Sequence, residues 1–137
     1  MCDAHGNPIH CEVTAGQDHE TTAFEDLLSN APALDAQQEE LVFPLAVAGD
    51  KGYDAAWIRE WLEDFEIEPV IPQRSYGKGT PDGQFDKQAY RRRNVIERLI
   101  GWIKECRRIF SRFEKTATNF LAMIKLAFIQ RYLKFIA

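Results

Sequence analysis

Behind the turn signal Asn7-Pro8, Ile9, Cys11 and Val13 alternate with polar neighbours. That period of two is the mark of a half-exposed strand, which Gly16 ends. The stretch "TTAFEDLLSN" switches to helical spacing, with Phe24, Leu27 and Leu28 on one side. Residues 30–40 are polar, contain Pro32 and read as a connection. In "LVFPLAVAGD" an apolar run predicts a short buried strand from Leu45 to Ala48, beginning after Pro44 and reaching Asp50 at its C-terminal edge. Asp54 has the chemistry of an N-cap for "AAWIREWLEDF", a helix whose apolar face is Ile58, Trp61, Leu62 and Phe65. "IEPVIP" predicts another strand, and "QRSYGKGTPDGQFD" a loop.

Two helices close the chain. The first is expected from about Lys87 to about Arg112, the second from Thr116 or Thr118 almost to the end. In the first, Val95, Ile96, Leu99, Ile100, Ile103, Cys106 and Phe110 fall on one side at 3.6 residues per turn. Tyr90, Arg93, Glu97, Gly101, Lys104 and Arg108 form a stripe on the other. The order of elements points to an α/β fold with a partly parallel sheet. Three strands make a thin sheet for two apolar helices, and the first strand lacks a hairpin partner. A further N-terminal piece is therefore expected.

Charge changes this picture. The net value of −4 conceals a basic C-terminal third, because residues 86–137 hold 13 Lys or Arg against 4 Asp or Glu. Such a segment suits an anionic partner, or is neutralised by the acidic remainder of the chain. Cys2, Cys11 and Cys106 have neither metal-ligand spacing nor a disulfide framework, which fits a reducing cytoplasm. "FLAMIKLAFIQRYLKFIA" is interrupted by Lys125, Gln130, Arg131 and Lys134, so it reads as a core helix and not a membrane span.

The stripe offers chemistry. Gly101 costs a helix interior about 1 kcal/mol relative to Ala, which makes sense where something large approaches closely. A carboxylate at Glu97 flanked by Arg93 and Lys104 suits a divalent metal bridging to a phosphate. A solvated face with salt bridges four residues apart is the plainer reading. Asp50 at a strand end is a second candidate acid, although "GDKGYD" also reads as turn chemistry.

Four stretches carry a resemblance: "DAHGNPIHCEVTAGQDHE", "GDKGYDAAWIREWL", "VIPQRS" and "YRRRNVIERLIGWIKECRRIFSRFEKTATNFLAMIKLAFIQRYL". Together with the Tyr-x2-Arg-x3-Glu-x6-Lys spacing of Tyr90, Arg93, Glu97 and Lys104, the chain resembles the C-terminal part of bacterial insertion-sequence transposases. These have a ribonuclease-H-like catalytic domain with an Asp-Asp-Glu site, and the likeness is to the insertion-sequence-five group. The resemblance implies an incomplete ribonuclease-H-like fold over residues 1–137, with a mixed central sheet and long C-terminal helices. It implies that Asp50 is the second catalytic and metal-binding acid and Glu97 the third. It also implies that Arg93, Lys104, Tyr90 and Arg108 meet DNA. His19 matches the family's His-Asp pair, although Glu20 follows it here, and either orients a loop or is a polar turn residue. Asp3 belongs to a hairpin turn, and the first acid lies on an earlier strand not found in this sequence.

The family uses Mg2+ or Mn2+ to cleave a DNA strand and transfer its 3'-hydroxyl to target DNA. Without the first acid, the isolated chain is expected to do neither. Its partners by this resemblance are transposon ends, target DNA, and a second copy or a full-length transposase, with no membrane and a place in the bacterial cytoplasm at the nucleoid. The chain is expected to be the product of a truncated element or the downstream half of a frameshifted transposase. The alternative function is a non-catalytic DNA-binding or regulatory module that interferes with intact enzyme.

Overall fold

Strands β1 (Ala46–Ala48) and β2 (Glu68–Val70) run parallel, in the register Ala46 to Glu68, Val47 to Pro69 and Ala48 to Val70. Parallel neighbours need a crossover, and helix α2 (Ala56–Asp64) supplies it. The structure, a computed structural model, describes residues 1–31, 43–74 and 86–136, with residues 135 and 136 in backbone only. The predicted connection around Pro32 and most of the glycine-rich loop lie outside the described residues. The remaining helices are α1 (Phe24–Ser29), α3 (Lys87–Arg92), α4 (Asn94–Glu105), α5 (Arg107–Phe110) and α6 (Ala117–Ile136). A small parallel sheet with long C-terminal helices is consistent with an incomplete ribonuclease-H-like fold.

The chain divides into two compact units. One takes in Met1–Asp18, Glu25–Ala31 and the C-terminal residues from Asn94. The other holds His19–Phe24 and, among the described residues, 43–74 and 86–93.

The sheet-bearing unit buries Ile58 and Leu62 of α2 under Ile67, Val70 and Ile71. Each such side chain contributes about 1.5–3 kcal/mol by leaving water. Phe24 joins this core edge-on to Trp57 and Trp61, with ring centroids 5.9 and 5.7 Å away. Helix α2 ends with Glu66 in the left-handed region, φ 56°, so that the Glu66 and Ile67 amides reach the Glu63 and Leu62 carbonyls at 2.9 and 2.8 Å. β1 differs from the buried strand expected: Leu45 is 90% exposed, and Ala46 and Ala48 are exposed as well. Among the described residues β1 is paired on one edge only, which leaves its other edge and most of its surface uncovered.

The other unit opens with a tight turn. Asp3 Oδ1 accepts the amides of His5 and Asn7, both at 2.8 Å, and Oδ2 accepts the Asn7 side-chain amide at 2.9 Å. Gly6 sits at φ +84°, where a side chain would be strained. The strand expected over Ile9–Val13 does not form. Among the described residues antiparallel pairing is limited to one isolated bridge between Cys2 and Pro8, since alternation alone cannot hold a strand without a partner.

The single helix expected from Lys87 to Arg112 is three helices. Arg93 and Cys106 interrupt it, Cys106 with extended backbone at φ −67° and ψ 103°. The second break shifts the helical phase. Leu99 is buried as the pattern requires, but Ile109 rather than Phe110 takes the next inner position, and Phe110 is 69% exposed. Arg112 closes α5 in the left-handed region, with the Phe113 amide on the Arg108 carbonyl at 3.1 Å. Thr116 starts α6: its Oγ1 accepts the Asn119 amide. α6 is less enclosed than a core helix, because among its described side chains Ala127 alone is buried while Leu126, Ile129 and Leu133 stay exposed. Among the described residues no helix is long and apolar enough to cross a membrane.

Candidate functional site

Asp50 lies two residues beyond the carboxyl end of β1, the position from which open α/β sheets present ligand-binding groups. It is also the N-cap of a 3-10 turn, Lys51–Tyr53, with Oδ1 accepting the Gly52 amide at 2.8 Å. Turn chemistry and a carboxylate at a strand end are thus the same residue. Among the described residues Oδ2 takes no hydrogen bond, so one oxygen remains for a hard cation.

Gly52 leaves room for a second acid. A methyl group placed there would collide with the Glu20 carboxylate and come within 2.8 Å of Asp50 Oδ1. Glu20 stands at the start of its own 3-10 turn, capped by His19, whose Nδ1 accepts the Thr21 amide at 3.3 Å. His19 therefore orders the segment that brings Glu20 in. Tyr53 senses these surroundings: burial raises its hydroxyl pKa, and the negative charges of Glu20 and Asp50 add to the effect.

Asp54 does not cap α2, whose N-cap is Ala55 without a side-chain bond. Its carboxylate is taken by longer-range partners instead. Arg59 donates Nε and Nη2 to Oδ1 at 3.1 and 2.8 Å, and also Nη2 to the Ile71 carbonyl at 2.8 Å. The Arg74 amide donates to Oδ2 at 2.5 Å. Burial works against the Asp54 charge, but the Arg74 amide and the Arg59 guanidinium outweigh it and hold the carboxyl below its usual range. The Arg74 side chain reaches back to the Asp50 turn, with Nε on the Lys51 carbonyl at 2.6 Å and Nη2 on the Gly52 carbonyl at 3.1 Å. Sequence reasoning missed both arginines: Arg74 is 20 positions from Asp54, and Arg59, only five away, lies on a helix where Asp54 reads as the cap.

In the same unit Asp86 caps α3 by accepting the Gln88 and Ala89 amides at 2.7 and 2.9 Å. The half-buried Arg93 guanidinium stands 5.3 Å from the Tyr90 ring centre, a cation–π contact that fixes both.

Glu97 belongs to the other unit, in the first turn of α4. Glu97, Gly101 and Lys104 are all exposed and follow at helical spacing, so this part of the predicted stripe stands on one face. A Cβ at Gly101 would meet nothing within 4 Å, which makes the middle of the face open. Of the other stripe residues, Tyr90 belongs to α3, Arg93 is its C-cap with helical backbone, and Arg108 belongs to α5, after the break at Cys106. Arg108 is held at 2.5 Å by Glu114, although its side chain stays 63% exposed. The back of α4 is braced by Arg131 of α6, whose guanidinium lies 5.2 Å from the centre of Trp102. Gly6 brings the Asp3 turn to within van der Waals reach of Val95, two residues before Glu97. The Asp3 carboxyl is desolvated, yet its Asn7 and His5 donors outweigh this and hold it below the usual range. Asp3 thus serves the turn, as the resemblance implies. Among the described residues no group of three or more His, Cys, Asp or Glu could hold a metal ion.

A family model described as "Transposase DDE domain" matches residues 1–130, and the chain belongs to that family. It is 32% identical over 127 residues to a Burkholderia cepacia protein named as a transposase for insertion sequence element IS402. That alignment covers 92% of this chain and 57% of the relative, so the chain spans a little over half the relative's length. No solved structure gives a significant match.

Proposed function

We propose that residues 1–137 are the part of a transposase catalytic domain that carries the second and third acids of an Asp-Asp-Glu set, Asp50 and Glu97. The observation that carries this reading is the family match, which spans both acids and the whole Tyr90, Arg93, Glu97 and Lys104 spacing. The position of Asp50 past a parallel strand, with one oxygen anchored by Gly52 and the other taking no hydrogen bond among the described residues, supports it. Oxygen donors alone suit Mg2+ or Mn2+, which would supply an activated water and neutralise charge on a phosphate. This chain's own groups hold and orient. Gly52 anchors Asp50, the cations Lys104, Arg93 and Arg108 meet DNA phosphates, and Tyr90 stacks beneath Arg93. With two of three acids in these 137 residues, the segment by itself binds DNA without cutting it.

The test is duplex binding against salt, with metal-dependent strand cleavage followed on the same DNA. Affinity is expected to fall steeply as salt rises, because phosphate contacts release counterions. Arg93→Ala and Lys104→Ala should each flatten that slope by about 1. Salt-independent binding by folded protein would contradict the DNA surface, and cleavage by residues 1–137 alone would contradict the two-acid reading.

A second reading is favoured by one observation, the basic balance of residues 86–137. In it the chain is a DNA-binding or regulatory module that competes with intact transposase. Titrating it into an intact transposase separates the two: inhibition supports interference, and unchanged transposition contradicts it.

A further inference from the structure

The hydrogen bond that anchors Asp50 depends on a single peptide plane. Gly52 N–H, which holds Asp50 Oδ1 at 2.8 Å, and the Lys51 carbonyl are two ends of the same rigid unit. The turn has two accessible forms. With the Tyr53 amide on the Asp50 carbonyl at 3.1 Å, residues 50–53 make a four-residue turn with Gly at its third position. Glycine there permits the plane between residues 51 and 52 to flip, giving a turn with Gly52 at positive φ. A flip would point the Gly52 amide away from Asp50 and release the carboxylate. In the structure Gly52 is not at positive φ. The Lys51 carbonyl accepts Arg74 Nε at 2.6 Å besides the turn's own Asp54 amide at 3.3 Å, and the next carbonyl, Gly52, accepts Nη2 at 3.1 Å, so Arg74 adds the shorter hold on a plane the turn itself favours.

We infer that Arg74 is a positioning residue for the Asp50 carboxylate, acting by locking the peptide plane whose N–H holds it. The inference rests on the reading of Asp50 as a metal-bearing acid. The grip is itself anchored. The Arg74 amide is tied to Asp54, and Asp54 to Arg59 at the start of α2, so the guanidinium is delivered from a fixed backbone. Arg59 touches neither Lys51 nor Gly52 among these bonds, which separates holding the network from holding the plane.

Two readings on the 137-residue chain test this: solvent exchange of the Gly52 amide by NMR, and Mn2+ affinity by water-proton relaxation. Arg74→Ala is expected to speed Gly52 exchange and to weaken Mn2+ binding about 10-fold, the low end for loss of a group that orients a metal ligand. Arg74→Lys should recover part of both, and stands in for the alanine variant should that one lose its helical signal. Arg59→Ala, which loosens the anchor but not the bonds to the turn, should lower thermal stability and speed Gly52 exchange clearly less than Arg74→Ala does. Unchanged Gly52 exchange in a folded Arg74 variant would overturn the inference, and so would an equal acceleration in Arg59→Ala. Asp50→Asn distinguishes failure of the underlying reading: Mn2+ affinity untouched by that change removes Asp50 as a metal ligand, whatever Arg74 does to the turn.

Discussion

The two proposed acids are held in opposite ways. Asp50 is half-buried on a short turn, with one oxygen bonded to Gly52 and the turn's carbonyls gripped by Arg74. Glu97 stands on an exposed helix face beside Gly101, where an added Cβ would meet nothing within 4 Å among the described residues. The first region spends its polar groups on internal bonds. The second presents exposed side chains on one helix face, with α4 anchored through Leu99 and the Trp102–Arg131 contact. A carboxylate on a turn needs outside bonds to fix its direction, whereas one on a helix inherits direction from the helix. The difference predicts that substitutions around Asp50 cost stability and those around Glu97 cost binding.

The largest effect should come from the core beneath the Asp50 turn. Leu62→Ala, at a site of zero exposure, should cost about 2–5 kcal/mol in urea or thermal unfolding. A value under 1 would show that α2 does not anchor that unit. Asp54→Ala comes next, at about 2 kcal/mol, because it strands the Arg59 guanidinium and the Arg74 amide together.

Acid should reproduce part of that loss. Both Asp54 and Asp3 have folded pKa values below the ordinary value of about 3.9. Their contribution is fully present above that value and is lost as pH falls through the folded values. Stability should therefore drop below about pH 4, and Asp54→Asn should flatten this limb. An unchanged acid limb in that variant would remove Asp54 from the account.

On the open side the expected changes are smaller and of mixed sign. Gly101→Ala should stabilise α4 by about 1 kcal/mol. It should weaken DNA binding at the same time if DNA approaches the helix closely there, so a stabilised variant with parent affinity would break the comparison at that face. Glu97→Gln should shift stability by less than about 0.5 kcal/mol.

Local patterns revealed much of this architecture. Alternation and helical spacing gave β1, β2, α2 and the start of α6 nearly to the residue, and the place of Asp50 after a strand followed from the apolar run before it. What the pattern did not reveal was set by distant partners. Asp54 has the chemistry of a cap, but Arg59 and Arg74 claim its carboxylate, and no window of a few residues contains all three. The breaks at Arg93 and Cys106 carry no proline or glycine signal. Only in the folded chain does Ile109 displace Phe110 from the inner side. The alternation of Ile9 to Val13 was real, yet a strand is a pairing, and pairing here stops at Cys2 and Pro8.

The most direct test of the two-acid assignment is a Mn2+ titration of residues 1–137 beside Asp50→Asn and Glu97→Gln, with circular dichroism confirming that all three are folded. The account predicts measurable binding by the parent and clear weakening in each variant. Parent-like Mn2+ affinity in both folded variants would contradict it.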